Sequence, residues 1–301
     1  MTPRVLAVIV NWNNYVEVQK CLASLAILSY PNLDVLVIDN GSTNDSSVRL
    51  EKEFPHYRFI YNKKNLGYAG GANVGISRGI QEAYDYIWLL NNDTIIVDPE
   101  YLSVVVAVDQ TEHCGIVGSL VLNAEDKNVQ SEWFSFVPWR GRFVPFRKNA
   151  QVQDIEKRTV TLKQRDYLNA ATMLIRTDVL RTGGLWPEDF FLYFEDNTWE
   201  DVVRKALPDV RICYTSKTYL LHKGAASSGG YKKSTTLDYY DTRNYLYFIK
   251  RSYPSWLGYH IFKSVINKVL PKIVRGEWLR LSYVLRGFRD FFKGKTGQLE
   301  Q

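Results

Sequence analysis

Carboxylate and amide side chains directly follow an apolar segment near residue 90. Tyr86–Leu90 is predicted to be a buried strand, and Asn91, Asn92 and Asp93 come next. Ligands of open α/β sheets bind beyond the carboxyl ends of the strands, and a hard divalent cation commonly bridges a protein carboxylate to substrate phosphates. The position of Asp93 therefore predicts a contact with a metal–diphosphate group. A polar turn that ends the strand is the competing interpretation, since Asn and Asp favour turns.

Two adjacent acids, Glu195 and Asp196, follow residues 190–194, which are four aromatic residues and a leucine. An apolar environment disfavours the charged form and raises a carboxyl pKa towards the range that suits a general base. The alternatives are a solvated acidic turn or a helix N-terminus, where acids are favoured. A second acidic pair, Glu200 and Asp201, lies close enough in sequence to supply the base instead.

His222 is one of four histidines in the chain and ends the apolar stretch 214–221. It precedes a Gly/Ser-rich stretch, residues 224–230. This position suits a second metal ligand, because neutral imidazole is a common ligand. A purely structural role is the competing interpretation.

Alternating apolar runs and helical patterns predict the elements that position these groups. Strand-like runs at residues 5–10, 35–38, 58–61 and 86–90 alternate with helical stretches, which is typical of a parallel sheet with helices on both faces. Residues 65–71 are predicted to form a glycine-rich turn that admits close approach of a ligand. Residues 127–165 are predicted to be a loop, lid or edge element, and the pattern from residue 236 onward is helical.

Composition restricts the class of protein. The 301 residues suffice for one large domain or a domain with an appendage. The three cysteines Cys21, Cys114 and Cys213 are distant and odd in number, which favours a reducing compartment and argues against a disulfide scaffold or a structural zinc site. The N-terminal apolar run is too short for a signal peptide, and no stretch is long enough to predict a membrane span.

The basic charge is concentrated near the C-terminus. Residues 241–301 hold 12 Lys/Arg and 4 Asp/Glu, whereas the whole chain has a formal net charge of only +6. Basic residues interspersed with aromatics predict contact with an anionic membrane surface. A helical cap with a solvated basic face is the alternative, and nucleic acid is disfavoured because no recognition motif accompanies the charge.

Six short motifs occur in an order and spacing that resemble the family 2 inverting glycosyltransferases of the GT-A fold, specifically their rhamnosyltransferase-like bacterial branch. They are VNWN at 10–13, IDNGS at 38–42, NLGYAGGANVG at 65–75, LNND at 90–93, YFED at 193–196 and HKG at 222–224. The resemblance implies an α/β, Rossmann-like, mostly parallel sheet flanked by helices. Residues 1–235 would form the catalytic domain, and residues 236–301 a helical, membrane-associating segment.

The resemblance also implies residue roles. Asp196, with Glu195 beside it, corresponds to the general base, and Asp93 and His222 would hold Mg²⁺ or Mn²⁺. The residues expected to bind the nucleotide are Val10, Asn11, Trp12, Asp39, Asn65, Gly67, Asn91 and Asn92. Asn169, Ala170 and Ala171 are expected near the sugar and the acceptor.

The implied reaction is a metal-assisted single displacement that inverts the anomeric configuration. The preferred donor is dTDP-L-rhamnose, with a UDP-hexose or UDP-galactofuranose as alternatives. The expected acceptor is a hydroxyl of a lipid-linked or cell-surface glycan, and no nucleic acid partner is expected. The expected location is cytoplasmic and peripheral, on the inner face of the plasma membrane.

Two departures from the family pattern favour a competing hypothesis, a non-catalytic scaffold that binds sugar nucleotides or glycans. Asn91 replaces the first acid of the metal motif, and Thr198 stands where the family usually has an acid. A nicotinamide-dependent reductase is disfavoured, because the first strand is not followed by a Gly-x-Gly-x-x-Gly turn.

Overall fold

The apolar runs of the N-terminal part form four parallel strands. In the computed structural model, which describes residues 1–224 and 235–299, these strands are β1 (Val5–Asn11), β2 (Leu33–Asp39), β3 (Arg58–Tyr61) and β4 (Tyr86–Leu90). They lie in the order β4-β1-β2-β3, and the helices α1 (Tyr15–Leu25), α2 (Ser46–Glu53) and α3 (Gly67–Gln81) connect them. β1 and β4 are buried along their whole length, as expected for strands covered on both faces.

The central sheet continues beyond β4 with strands of both directions. The remaining strands are β5 (Thr94–Ile96), β6 (Gly115–Asn123), β7 (Val129–Ser131), β8 (Phe134–Val137), β9 (Arg142–Pro145), β10 (Thr159–Thr161), β11 (Asp166–Tyr167), β12 (Thr172–Arg176) and β13 (Arg211–His222). β12 runs antiparallel to both β4 and β6, and β13 runs parallel to β6. The sheet as a whole is therefore mixed, with its parallel part at the N-terminal strands.

The region predicted to be a loop, lid or edge element contains four short strands joined by loops and turns. It contributes β8 and β9 to a small second sheet with β11, in the order β11-β8-β9, and it adds β7 and β10 to the main sheet. The remaining helices are α4 (Tyr101–Glu112), α5 (Thr177–Gly183), α6 (Glu195–Ala206), α7 (Thr235–Ser252), α8 (Leu257–Ser264), α9 (Leu270–Val274) and α10 (Trp278–Phe292). A π-helical turn, Val265–Val269, joins α8 to α9.

The predicted glycine-rich turn at 65–71 is wrong from Gly67 onward, because Gly67 is the first residue of α3. Glycines recur every four residues along this helix, at 67, 71, 75 and 79. A Cβ on Gly75 would lie 2.3 Å from Val8 Cγ1, and one on Gly71 would lie 2.8 Å from Val10 Cγ1. The glycines therefore allow α3 to pack directly against β1, and no ligand is needed to explain them.

Cys114 and Cys213 form a disulfide, contrary to the expectation from their spacing. Cys114 directly precedes β6 and Cys213 lies in β13, and these two strands are neighbours in the sheet. The sequence separation of 99 residues conceals the pair. Cys21 is a buried thiol.

The predicted helices of the C-terminal part are present and pack as a unit. α7 contributes Leu246 and Phe248, and α10 contributes Val284, Phe288 and Phe291, to one apolar cluster. The predicted domain boundary at 235/236 falls at the start of α7. Most of the Gly/Ser-rich stretch, from residue 225, lies outside the described residues. Among the residues described, no helix is long and apolar enough to cross a bilayer.

The close packing of α3 on β1 predicts that Gly75→Ala is destabilising. The new methyl group would overlap Val8, and overpacking of this kind costs about 1–3 kcal/mol in the free energy of unfolding. The matched control is Gly258→Ala in α8, where an added Cβ meets nothing within 4 Å. That substitution should be neutral or slightly stabilising, and urea unfolding of both variants measures the difference. Equal stabilities would contradict the packing argument.

Candidate active site

The ends of β1, β2 and β4 meet at one edge of the sheet. Asn11 and Asp39 are register partners at the ends of β1 and β2, and the Asn92 side chain donates to the Val10 carbonyl at 2.9 Å. Asp39 is buried and accepts hydrogen bonds from the Ser42 N–H and the Ser47 hydroxyl. We call this edge the strand-end rim.

Several residues expected to bind a nucleotide are engaged in building the rim. The Asn11 amide donates to the hydroxyls of Ser46 and Ser47. Asn65 accepts from the Gly67 N–H at 2.8 Å and caps the start of α3. Trp12 is different, because its side chain is 45% exposed and available to a ring. The nucleotide contacts of these residues stay predictions.

Asp93 and His222 come together beside the rim. The Asp93 Oδ1 and His222 Nε2 atoms are 3.1 Å apart, and the Lys223 N–H donates to the Asp93 carbonyl at 3.0 Å. The β5–β13 pairing places His222 opposite Thr94 and so brings the two residues together. The sequence predicted each as a metal ligand from its position after an apolar run, and the family resemblance paired them across 129 positions.

Gln130 determines which His222 nitrogen carries a proton. Its Nε2 donates to the His222 carbonyl at 2.7 Å, so its Oε1 is the atom that faces His222 Nδ1 at 2.9 Å. An amide oxygen only accepts, so Nδ1 is the donor. Nε2 is then the nitrogen that faces Asp93 and could bind a cation, which is the orientation of a metal-binding histidine held by an outer partner.

The pair fits a divalent cation with octahedral coordination. Adjacent ligands at 2.0–2.1 Å from Mg²⁺ are separated by about 3 Å, which matches the Asp93–His222 separation of 3.1 Å. In the part of the chain that is described, no group of three or more His, Cys, Asp or Glu residues surrounds such a position. Mg²⁺ keeps several waters and commonly shares its remaining positions with substrate phosphates, so two protein ligands are sufficient.

Glu195 and Asp196 begin helix α6 after a backbone segment with unusual geometry. Phe191, Tyr193 and Phe194 all have positive φ, at 64°, 68° and 72°, and each such residue costs of order 1–3 kcal/mol. We call residues 190–194 the strained loop. It is held from α7, because the Asn244 amide donates to the carbonyls of Phe190 and Leu192 at 2.6 and 2.7 Å.

Burial raises the pKa of both acids at the start of α6. The pKa of Glu195 is raised to about 8, first by desolvation and then by the charge of Asp196. Desolvation raises the pKa of Asp196 to about 6, and backbone N–H groups at the helix start oppose that shift. Desolvation and the proximity of the two carboxyls thus disfavour ionisation of both, so the pair keeps a proton to higher pH than isolated carboxyls do. Among the residues described, Glu195 Oε2 has no hydrogen-bond partner.

Tyr68 hydrogen-bonds to the segment that holds Asp93 and to the segment that precedes Glu195 and Asp196. Its backbone N–H donates to the Phe191 carbonyl at 2.9 Å, and its hydroxyl donates to Asn91 Oδ1 at 3.2 Å. Burial and the charges of Glu195, Asp196 and Asp93 raise the pKa of Tyr68. Asp93 and the Glu195–Asp196 pair, which are distant in sequence, therefore both raise the pKa of the same hydroxyl.

The small-residue segment 169–171 lies beside the metal motif. The Asn91 N–H donates to the Ala171 carbonyl at 3.0 Å, and Asn169 Oδ1 accepts from the Ala171 N–H at 3.1 Å. Ala170 lies between them and is partly exposed. The segment is thus bonded to the end of β4 that leads to Asp93, and its sugar and acceptor role stays a prediction.

Glu200 and Asp201 are engaged in structural contacts. Glu200 is fully buried, accepts from the Leu168 N–H at 3.1 Å and pairs with Arg204 at 3.1 Å. Asp201 accepts from the Tyr167 hydroxyl at 2.9 Å and lies 3.7 Å from Arg204. These partners favour Asp196 over either residue as the base.

Comparison with known proteins agrees with this geometry. The sequence profile described as "Glycosyl transferase family 2" matches residues 6–177, which contain the rim and Asp93. The chain belongs to glycosyl transferase family 2. Its central sheet flanked by helices is the GT-A fold of that family.

The chain is similar to several family 2 proteins. It is 24% identical over 189 residues to the low-salt glycan biosynthesis hexosyltransferase Agl10 of Haloferax volcanii, covering 63% of this chain and 58% of that protein. It is 27% identical over 128 residues to the galactofuranosyltransferase GlfT1 of Mycobacterium tuberculosis, covering 42% of each. The chain thus spans about half the length of these relatives.

Two solved structures share the fold. Residues 1–349 of S. aureus TarS in complex with UDP-GlcNAc align with a TM-score of 0.62 at 15% identity, covering 96% of this chain and 80% of that one. The mannosyltransferase PcManGT from Pyrobaculum calidifontis, in complex with GDP-Man and Mn²⁺, aligns with a TM-score of 0.58 at 13% identity, covering 97% and 88%. At these identities the likeness extends to the fold alone.

The sequence patterns did not identify three residues that shape the site of this family 2 protein. Tyr68 lies in the glycine-rich motif, Gln130 in the region predicted to be irregular, and Asn244 in the C-terminal helical segment. Their partners are 23, 92 and 52 or more positions away, so no local pattern marks them. A buried polar residue in an aromatic helix, such as Asn244, is the only one with a recognisable signal.

The contact between α7 and the strained loop predicts that Asn244→Ala destabilises the protein. Two carbonyls of the loop would lose a buried donor, which costs about 1–3 kcal/mol in the free energy of unfolding. The control is Lys250→Ala, which removes an exposed side chain on the same helix and should change the stability by less than about 0.5 kcal/mol. Urea unfolding separates the two. An Asn244→Ala protein as stable as the control would show that the loop does not depend on α7.

Proposed function

We propose that the protein is an inverting glycosyltransferase that moves a sugar from a nucleoside diphosphate to a hydroxyl acceptor. The observation that supports this most is that Tyr68 hydrogen-bonds both to Asn91, in the motif that holds Asp93, and to Phe191, in the strained loop before the Glu195–Asp196 pair. The Asp93–His222 pair suits a cation bound to a diphosphate, and the Glu195–Asp196 pair suits proton removal from an attacking hydroxyl.

Each residue has a defined role in this proposal. Asp196 accepts the proton of the acceptor hydroxyl while that oxygen attacks the anomeric carbon. The bond from this carbon to the diphosphate breaks on the opposite face, so the configuration inverts and no covalent enzyme intermediate forms. Asp93 and His222 would hold Mg²⁺ or Mn²⁺, which when bound neutralises charge on the departing diphosphate. The rim residues Asp39 and Trp12 would bind the nucleoside.

The donor is proposed from the sequence motifs alone. We keep dTDP-L-rhamnose as the first hypothesis, with UDP-hexose and UDP-galactofuranose as alternatives. None of the relatives described above is named for rhamnose transfer, and GlfT1 is named for galactofuranose transfer. Thermal-shift measurements with dTDP-, UDP- and GDP-sugars, with and without Mn²⁺, distinguish these donors.

The acceptor is proposed to be a lipid-linked or cell-surface glycan, reached at the cytoplasmic face of the plasma membrane. The C-terminal helical segment supports this proposal through its basic and aromatic composition. A non-catalytic scaffold is the competing function, since Asn91 leaves the metal motif with one carboxylate. Nucleotide release from a sugar donor that requires an acceptor would exclude the scaffold.

The raised pKa values predict a large loss of rate for one conservative substitution and little change for another. Asp196→Asn removes the base, and a loss of about 10²–10⁴-fold in transfer rate is expected. Glu195→Gln mimics the protonated acid and should change the rate at pH 7 by less than about threefold. Acceptor-dependent nucleotide release measures both.

The pH profile provides an independent check. Because the base must be ionised, the wild-type rate should fall as the pH drops through about 6. Glu195→Gln should keep that decline, since Asp196 remains. Full activity of Asp196→Asn would contradict the assignment and direct attention to Glu200 or Asp201.

Gln130 is predicted to tune cation affinity without contacting the cation. Gln130→Leu frees His222 Nδ1, and loss of such an outer partner typically weakens metal affinity by about 10–100-fold. The control is Gln151→Leu, whose exposed side chain donates to Asn128. Calorimetric titration of Mn²⁺ in the presence of UDP or dTDP compares the two. Nucleotide binding that is equally tight in EDTA would contradict a cation at Asp93.

A further inference from the structure

The helix formed by α8, the π-helical turn and α9 exposes a row of apolar side chains to solvent, in addition to the apolar residues that it packs on the core. One row of side chains along it is apolar and exposed to solvent, each between 42% and 65%. The row consists of Tyr259, Phe262, Ile266, Leu270 and Ile273, and we call it the apolar helix face. A helix on a globular protein normally turns such a row towards the core.

The side that faces the protein carries polar residues as well as Leu257, Ile261 and Val269, which pack against the C-terminal apolar cluster. His260 and Ser264 are buried, and His260 Nδ1 pairs with the Tyr245 hydroxyl at 2.7 Å. Lys268 pairs with Asp241 at 2.7 Å and Lys272 with Asp238 at 3.0 Å, both on α7. Rotating the helix to bury its apolar row would break these pairs, so the exposed orientation is held by specific contacts.

Neighbouring residues extend the apolar helix face and give it an aromatic edge. Trp256, Trp278 and Leu279 are all exposed. Trp is enriched at the boundary between lipid headgroups and acyl chains, because its ring is apolar and its N–H is polar. Exposed apolar surface of this extent marks an interaction site.

The exposed charges of residues 253–299 indicate which kind of partner covers the apolar helix face. Between residues 253 and 299, the exposed charged side chains are Arg275, Arg289, Lys293 and Lys295. The two acids in that range are paired, Glu277 with Arg280 at 2.8 Å and Asp290 with Arg289 at 3.0 Å. Exposed cations in the same C-terminal segment as an apolar face complement an anionic bilayer.

We propose that the apolar helix face lies in the plane of an anionic lipid bilayer, at the boundary between headgroups and acyl chains. This deepens the proposed function, because it rests on an acceptor carried by lipid. It also changes the expected source of affinity. Lys268, Lys272 and Arg280 are paired inward, so burial of apolar side chains, rather than charge alone, holds the protein to lipid.

The test is flotation of the full chain with vesicles of phosphatidylglycerol and phosphatidylethanolamine. The wild-type protein should float, and it should keep floating at about 0.5 M NaCl, where charge attraction is screened. The double variant Phe262→Ser/Ile266→Ser should lose at least about tenfold of its partitioning. The control Ile27→Ser/Val48→Ser removes two exposed apolar residues, one shortly after α1 and one in α2, and should float like wild type.

Three results would overturn the proposal. These are equal flotation of the Phe262→Ser/Ile266→Ser variant, complete loss of wild-type binding in salt, or a wild-type dimer in solution that this variant converts to a monomer. Circular dichroism should show the same fold in all variants. Donor binding separates this inference from the proposed function, because loss of flotation with donor binding intact affects only the membrane surface. Deleting residues 255–301 is a poorer test, because it removes α10, which packs on α7.

Discussion

The crowding of carboxyl groups at a desolvated cleft is the constraint on which the rest of this structure depends. Asp93, Glu195 and Asp196 all act on the Tyr68 hydroxyl, although they lie on separate segments of the chain. Like charges in such a place repel and are poorly solvated, so one of them is held protonated or a cation must join them. Protonation of one carboxyl leaves a neighbouring carboxylate free to act as a base. A bound cation would attract the diphosphate of the donor, and a transferase can use both effects.

Helix α7 connects this cleft to the rest of the molecule. Through Asn244 it holds the strained loop that carries Glu195 and Asp196. Through Asp238 and Asp241 it pairs with Lys272 and Lys268, on the inner side of the helix that carries the apolar helix face. One rigid element thus orients the proposed base and the proposed membrane surface relative to each other. Such an arrangement suits an enzyme whose acceptor is presented at a lipid surface.

Much of the fold could be predicted from sequence because local patterns determine it. Continuous apolar runs identified β1 to β4, and the polar residues after them identified the rim. Local position predicted Asp93 and His222 as metal ligands, but not their contact, which depends on the pairing of β13 with β5. The disulfide between Cys114 and Cys213 was missed for the same reason. The glycines of α3 were misread because a helix packed closely on a sheet and a ligand-binding turn both require the absence of a side chain.

The central claim, that the cation pair and the acid pair share one cleft, is tested most directly by paramagnetic NMR of ¹³C-carboxyl-labelled protein. With a nucleoside diphosphate present, Mn²⁺ bound at Asp93 and His222 should broaden the carboxyl signals of both Asp93 and Asp196, while Mg²⁺ should not. The signal of Asp34, at the start of β2 and far along the strand from the rim, serves as the reference and should stay sharp. Broadening of Asp93 with an unaffected Asp196 would place the two groups in separate sites and contradict the account.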